Sequence, residues 1–600
     1  MKGTHEKKAA LAKAGRAKIW IRRMLIVAAV LSLVVVATGF AWSTLTSLNS
    51  TAWINDDTPA FKGIADYLKS TPTEDAVANV VIVHGISDHC IGYSDTLITN
   101  LSEHLTEGSR RSETGAMQAA FKTFDDLNKK GELGSIYPPL EANCNHGSIR
   151  EYAESIGVDA AEVMAPYAPG DSNFVVDAQQ ALCDAINRAD SDTARCFKLG
   201  VINEDKSVYI TGFVRVVSFD GLRFFELVWS PATRWVKDRL VRLDASNKTV
   251  SDGAFNQALK SYIINSAIAD AVAYLSDPGV LVNLNLLQTF CLVVAANSQM
   301  PDDESDFFTC NADHLKSARD FDGRHRLFFM THSLGTRVLF DTLGLIASDE
   351  LIGEIRSRLR RIKAQVPGQY RDTPDNKFPT FLEHFKPRFL AAIDAVYAFT
   401  NQVPLLSANL TSPFVKPRNL SDGDEYEAVG KEFQVFLEKR NLAVGDDRKL
   451  QIVSFHDPDD LLSYQLGCWY YQSQVRYRKK HTALLKQKYA QLERDLSLDE
   501  NKRDFRPLLR AIENVHCPAL DREGWTELTA RYRGQRPSEM LEIAKNIKEQ
   551  LQSDAKAVFV DAPLRMNALR VPGIIAHPLQ VHSKYYQDQK VHRWISYGYQ

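Results

Sequence analysis

Apolar positions in this chain follow two alternating patterns, and the alternation predicts strands interleaved with helices. Short apolar runs at 79–85, 327–330, 389–399, 450–455 and 557–561 read as strands. The run at 79–85, rich in β-branched residues and closed by Gly85, has the form of a strand buried on both faces. Two longer apolar runs, 208–219 and 222–229, are joined by Asp220-Gly221, a hairpin turn signal. Helical spacing appears at 93–105, 178–187, 254–275, 281–296, 351–363 and 590–596. The pattern predicts an α/β fold with a mostly parallel central sheet flanked by helices. Two stretches do not fit the alternation. Residues 108–206 are mixed and carry no motif, and 475–556 are charged and helical. Both read as large insertions, the second with a possible role as a lid. No internal repeat or low-complexity tract occurs.

One junction between the two patterns carries chemistry. The apolar run Leu327, Phe328, Phe329, Met330 stops at Thr331-His332-Ser333-Leu334-Gly335. Helical spacing then takes over, with Val338, Leu339, Leu343, Leu345 and Ile346 on the apolar stripe. Strand, sharp turn with a central serine, then helix is the layout of a nucleophile elbow. Such a turn lifts the serine hydroxyl to the carboxyl edge of the sheet. The helix that follows points its first amide groups at whatever the serine attacks. The usual pattern is Gly-x-Ser-x-Gly, and here Thr331 stands at the first glycine. The bland alternative is an ordinary turn in which Ser333 caps the helix.

Length and composition bound the picture without changing it. Six hundred residues exceed one ordinary core, so either two to four domains or one domain with large insertions is expected. With 44% hydrophobic and 24% charged residues a sizeable core is possible. A net charge of −2 with no long basic block in the body argues against a nucleic-acid partner.

The N-terminal residues do add something. Residues 1–23 carry eight Lys or Arg against the single acid Glu6, and 24–42 carry no charge. Nineteen such residues span about 28 Å as a helix, close to a bilayer core. We read 1–23 as a basic cytoplasmic tail, 24–42 as a transmembrane helix and 43–75 as linker and lead-in. The body, 76–600, then lies on the non-cytoplasmic side, which is the periplasm in a bacterium. The rival is a cleaved signal peptide, with Ala37-Thr38-Gly39 as its small-x-small site; the long basic lead favours an uncleaved anchor. Eight cysteines show neither CxxC nor zinc spacing. An exported domain permits disulfides, and Cys183 with Cys196 is one candidate pair.

A serine nucleophile needs a histidine to take its proton and a carboxylate to orient that histidine. Asp457, Asp459 and Asp460 follow the strand at 450–455, and His582 follows the last strand. Serine, acid, histidine is thus the chain order. An oxyanion hole needs one N–H after the serine, from Leu334, and one from a loop after an earlier strand. His84-Gly85-Ile86 supplies such a loop, with Gly85 permitting the tight path and Ile86 presenting the amide.

Val83-His84-Gly85, Thr331-His332-Ser333-Leu334-Gly335, His456-Asp457-Pro458-Asp459-Asp460-Leu461-Leu462-Ser463 and His582-Ser583-x-Tyr585 together resemble the α/β-hydrolase superfamily of lipases and esterases. The resemblance covers the core strands, about half of the chain. It implies an eight-stranded plan and a Ser-Asp-His serine hydrolase that needs no metal or organic cofactor. It favours Asp460 as the acid, ahead of Asp459 and then Asp457. His577, before Pro578, and His592, in a helical run, compete with His582. His89 and Cys90 lack a third ligand at any metal-binding spacing. Two function classes follow. The first is a membrane-anchored serine hydrolase cleaving a small-molecule or lipid ester. The second is a tethered scaffold or binding protein that keeps the fold without turnover. Substrate and oligomeric state are not legible.

Overall fold

Residues 53–54, 58, 60–71, 76–106, 174–188, 193–203, 208–219, 221–246, 268–296, 308, 321, 323–348, 351–362, 364–365, 386–407, 431–444, 448–457, 460, 463–464, 466, 557–565 and 584–599 are described by the computed structural model. The apolar segment 24–42, the whole of 475–556, and Asp459, His577 and His582 lie outside them. Among the described residues, no helix is long and apolar enough to cross a membrane.

The strands are β1 (Trp53–Ile54), β2 (Val77–Val83), β3 (Ala194–Asn203), β4 (Val208–Phe219), β5 (Leu222–Val228), β6 (His325–His332), β7 (Ala364–Gln365), β8 (Ile393–Phe399), β9 (Leu450–His456) and β10 (Ala557–Arg565). They form one sheet in the order β1-β10-β9-β8-β6-β2-β5-β4-β3-β7. β10, β9, β8, β6, β2 and β5 run parallel. β4 and β3 continue antiparallel, and the outermost β1 and β7 are antiparallel edges of two residues each. Eight strands of substance therefore make a mostly parallel α/β sheet.

Both faces of the parallel part are dry because successive side chains point to opposite sides of a strand. Val81, Val83, Leu327, Phe329 and Ile452 enter one core with Leu284, Leu339 and Phe436 from covering helices. Val80, Ile82, Phe328, Met330 and Val453 enter the other with Ile64, Leu97, Leu101 and Ile595. Burying each Phe or Leu fully contributes about 1.5–3 kcal/mol. The helix Gly279–Ala295 is buried along its whole length, as a helix apolar on all sides must be.

Two expectations shift. β3 falls inside the stretch read as a motif-free insertion; Arg195 and Lys198 interrupt its apolar run, and half-buried positions disguise it. The strand expected at 389–399 begins at Ile393, because 386–392 are helical. Phe389 and Leu390 are buried from that helix, and a short apolar run does not tell the two states apart. The Asp220-Gly221 hairpin forms as read, with Phe219 opposite Leu222. Cys183 and Cys196 are disulfide-bonded, joining the helix Phe174–Arg188 to β3.

In-register parallel pairing decides what meets what. Val83 lies opposite Leu227 and Thr331, His332 opposite Phe399, and Phe399 opposite Phe455. The carboxyl ends of β2, β5, β6, β8 and β9 thus open on one edge, which carries His84, Trp229, Ser333, Thr400 and Asp457.

Candidate active site

β6 ends at His332, and the helix Leu334–Ala347 starts without a connecting loop. Ser333 absorbs the whole change of direction at φ 53°, ψ −122°. A non-glycine residue there holds strain of about 1–3 kcal/mol, which surrounding contacts must offset. Its N–H donates to the carbonyl of Phe399 at 2.9 Å, tying the turn to β8. Its side chain is buried, and among the described residues its Oγ has no hydrogen-bond partner.

Two glycines allow the turn to seat. A Cβ on Gly335 would lie 2.5 Å from the carbonyl oxygens of both Val83 and His84. A Cβ on Gly85 would lie 2.6 Å from the Ser333 Cβ. The end of β2 therefore presses directly on the elbow, and no larger residue fits either place without moving backbone. Leu334 opens the helix, so its N–H is one of the four that lack an intrahelical acceptor. Thr331, at the position of the usual first glycine, is buried and its Oγ1 lies 2.9 Å from the Oγ1 of Thr336. The threonine serves as a latch between the strand end and the first helical turn.

The loop after β2 is built from the other side by β5. His84 stacks on Trp229 with ring centroids 4.7 Å apart. The Trp229 backbone N–H donates to His84 Nε2 at 3.0 Å, and its indole N–H donates to the His84 carbonyl at 2.9 Å. With Nε2 accepting, Nδ1 carries the proton and faces the Gly85 carbonyl at 2.8 Å. Burial holds His84 neutral, well below the ordinary histidine range. His89, 4.1 Å away between ring centroids, is likewise pushed down to about 3 by burial. Both rings are structural. Cys90 is disulfide-bonded, so it offers no thiolate to a metal. Among the described residues, no cluster of three His, Cys, Asp or Glu could hold a metal ion.

Charged side chains invisible to motif reading hold this loop at both ends. Glu226 accepts from the N–H of Gly92 at 2.6 Å, the N–H of Ser94 at 3.1 Å, the Ser94 hydroxyl and Arg215. Nearer the elbow, Asp88 receives Lys237 at 2.7 Å and Arg234 at 3.0 Å. Burial pushes the Asp88 carboxyl up, but the two cations prevail and keep it below its ordinary range. One of these pairs leaves a trace in the sequence, since Arg215 and Glu226 interrupt the two apolar hairpin strands, and the structure sets them opposite each other in register. The cluster around Asp88 had no such signal, because its members come from distant parts of the chain.

Of the candidate acids, Asp457 and Asp460 are both buried after β9, two strands from the elbow. The Asp460 N–H donates to the Asp457 carbonyl at 3.0 Å, and the Ser463 N–H to the Asp460 carbonyl at 3.1 Å. Tyr585 reports on both: burial, then the charges of Asp460 and Asp457, push its hydroxyl well above the ordinary range. Tyr585 belongs to a short 3₁₀ turn, Lys584–Tyr586, that starts two residues after His582. In that turn Tyr586 packs 5.2 Å from the His332 ring and 6.0 Å from Phe399. His592, by contrast, sits under the helix Asp95–Thr106, where its Nδ1 meets Asn100 Nδ2 at 2.8 Å. Burial lowers it to about 3.

The structure thus brings Gly85, Ser333 and Leu334 together. Ile86 lies in the braced loop, and Asp457 and Asp460 share the sheet edge. His582 and Asp459 lie outside the described residues.

Comparison with known proteins yields no match: no family model, no curated protein and no solved structure matches this chain.

Proposed function

We propose that the chain is a membrane-anchored serine hydrolase of the α/β-hydrolase type, cleaving an ester through an acyl-serine intermediate. The observation that carries this reading is the conformation of Ser333. It is strained, buried at the carboxyl edge, and seated against Gly85 and the N-terminus of a helix. A serine needed only as a cap gains nothing from a left-handed backbone.

In this reading Ser333 Oγ attacks the ester carbonyl carbon while His582 takes its proton. The N–H groups of Leu334 and Ile86 hold the oxyanion that forms. Collapse of the tetrahedral adduct breaks the carbon–oxygen bond, and the leaving alkoxide takes the proton from His582. Water, deprotonated by the same histidine, then attacks the acyl-serine and returns Ser333. Asp460 orients the imidazole, with Asp459 and Asp457 as alternatives. The Lys584–Tyr586 turn, seated beside His332 through Tyr586, supports a histidine from the same stretch of chain.

Disulfide-bonded Cys90, Cys183, Cys196 and Cys291 support an oxidising, non-cytoplasmic location for the body. The basic and then apolar N-terminal residues support an anchor. A lipid or acylated envelope ester suits an enzyme held at a membrane.

A fluorophosphonate probe tests the reading. Folded wild-type protein is expected to label, Ser333→Ala not at all, and Asp460→Asn and His582→Ala far more slowly. A folded wild type that stays unlabelled would leave the tethered, non-catalytic scaffold as the better account.

A further inference from the structure

We infer that Asp270 is a positioning residue for the oxyanion loop, holding the Gly85–Ile86 backbone against Ser333 by gripping the strained residue that follows. This inference rests on the serine-hydrolase reading above.

Three observations converge. First, Ser87 has φ 97°, a conformation that a residue with a Cβ adopts only when neighbours enforce it. Second, the enforcing group is identified. The Ser87 N–H donates to Asp270 Oδ2 at 2.6 Å, and Asp270 is fully buried. Third, Asp270 is itself fixed. Its Oδ1 accepts from Thr233 Oγ1 at 2.6 Å and lies 2.8 Å from Lys237 Nζ. The same ammonium group reaches Asp88, the next residue of the loop, at 2.7 Å. One lysine thus ties the carboxylate that holds the Ser87 N–H to the carboxylate of the next loop residue.

The geometry explains why a carboxylate is needed here and why it lies so far away in sequence. Gly85 touches Ser333, and Ser87 is two residues beyond it. Between them is Ile86, whose amide has to face a developing oxyanion. If Ser87 relaxed to negative φ, the Ile86–Ser87 and Ser87–Asp88 peptide groups would turn, and the Gly85–Ile86 peptide that carries the Ile86 N–H would lose the fixed end it is anchored to. Thr233 and Lys237 follow β5, and Asp270 comes from the neighbouring helix Ala269–Tyr274, so the brace stands on elements outside the loop. Holding the donor in place before substrate arrives is what makes such a hole effective.

Asparagine at 270 tests this specifically. Two donors claim Oδ1 and one claims Oδ2, so the asparagine keeps its oxygen toward Thr233 and Lys237. Its amide nitrogen then faces the Ser87 N–H, so the loop contact is broken while Thr233 and Lys237 keep an oxygen acceptor, the lysine's partner now being neutral. Turnover of p-nitrophenyl butyrate by the 600-residue chain would be normalised to sites titrated with fluorophosphonate. For Asp270→Asn we expect kcat per titrated site to fall about 10- to 100-fold with KM little changed. Adding Ser87→Gly removes the penalty on positive φ and should recover at least about threefold of that loss. A purely structural role would change the number of titratable sites but not the rate per site, and would gain nothing from the glycine. Should Asp270→Asn fail to fold, Thr233→Val decides, with an expected loss of about fivefold in kcat. Rates per site within twofold of wild type would overturn the positioning role and leave the hydrolase reading intact. A wild type that neither labels nor turns over would overturn both.

Discussion

The hydroxyls of Thr331 and Thr336 meet 2.9 Å apart across the turn that carries Ser333. Both side chains are fully buried, so neither hydroxyl has water to turn to. The pair joins the end of β6 to the first turn of the next helix, where the usual motif relies on a glycine. Thr336→Val should strand the Thr331 hydroxyl and lower stability by about 1–2 kcal/mol. Thr331→Val should do the same, and the double variant should cost clearly less than the sum. Urea denaturation of the four proteins closes the cycle; strict additivity would mean that the latch carries no energy.

Strain at Ser333 gives a second expectation. Alanine in its place keeps the positive φ with a Cβ, whereas glycine accepts that backbone freely. Ser333→Gly should therefore be more stable than Ser333→Ala by about 1 kcal/mol, although glycine ordinarily costs stability elsewhere in a chain. Thermal unfolding of the two inactive proteins compares them directly. An alanine variant as stable as the glycine variant would argue that the turn is relaxed.

Acid should act through buried histidine. Burial lowers His592 to about 3, against 6.5 for an exposed imidazole. Above pH 6.5 the ring is neutral both folded and unfolded, and pH does not matter. As pH falls from 6.5 toward 3 the unfolded chain takes up a proton that the folded chain refuses. Stability then drops by up to about 1.4 kcal/mol per pH unit for this one residue. Asp95 works in the opposite sense, because burial raises it to about 6 and the folded state binds its proton first as pH falls. The difference between wild type and His592→Gln isolates the histidine. Its urea midpoint should vary less steeply below pH 6.5 by close to one proton per molecule, and parallel curves would contradict the assignment.

The bond between Cys183 and Cys196 closes a loop of sequence separation 13. A closure of this length lowers the entropy of the unfolded chain enough to stabilise the fold by about 3 kcal/mol. Replacing both cysteines with alanine should lower the denaturation midpoint accordingly. The helix Phe174–Arg188 should then exchange its amide hydrogens faster than the parallel strands. Equal protection would show that packing alone holds that helix on β3.

Periodicity alone determined the class of this protein. Apolar runs at 79–85, 327–330 and 450–455 fit strands covered on both faces, since among strands only those are apolar at successive positions. Asp220-Gly221 set the hairpin register, and with it the meeting of Arg215 and Glu226. The junction Thr331 to Gly335 marked its own strand, turn and helix because each is a local property of neighbouring residues. Other facts were decided only in three dimensions. That β2 lies beside β6 and brings Gly85 onto Ser333 depends on strand order, which no local pattern encodes. That Thr331 is a latch depends on the helix turning its Thr336 back over the strand. The grip of Asp270 on Ser87 joins residues 183 positions apart, and its physical basis is burial. A carboxylate removed from water must find donors wherever the fold places them, and the sequence does not say where that is.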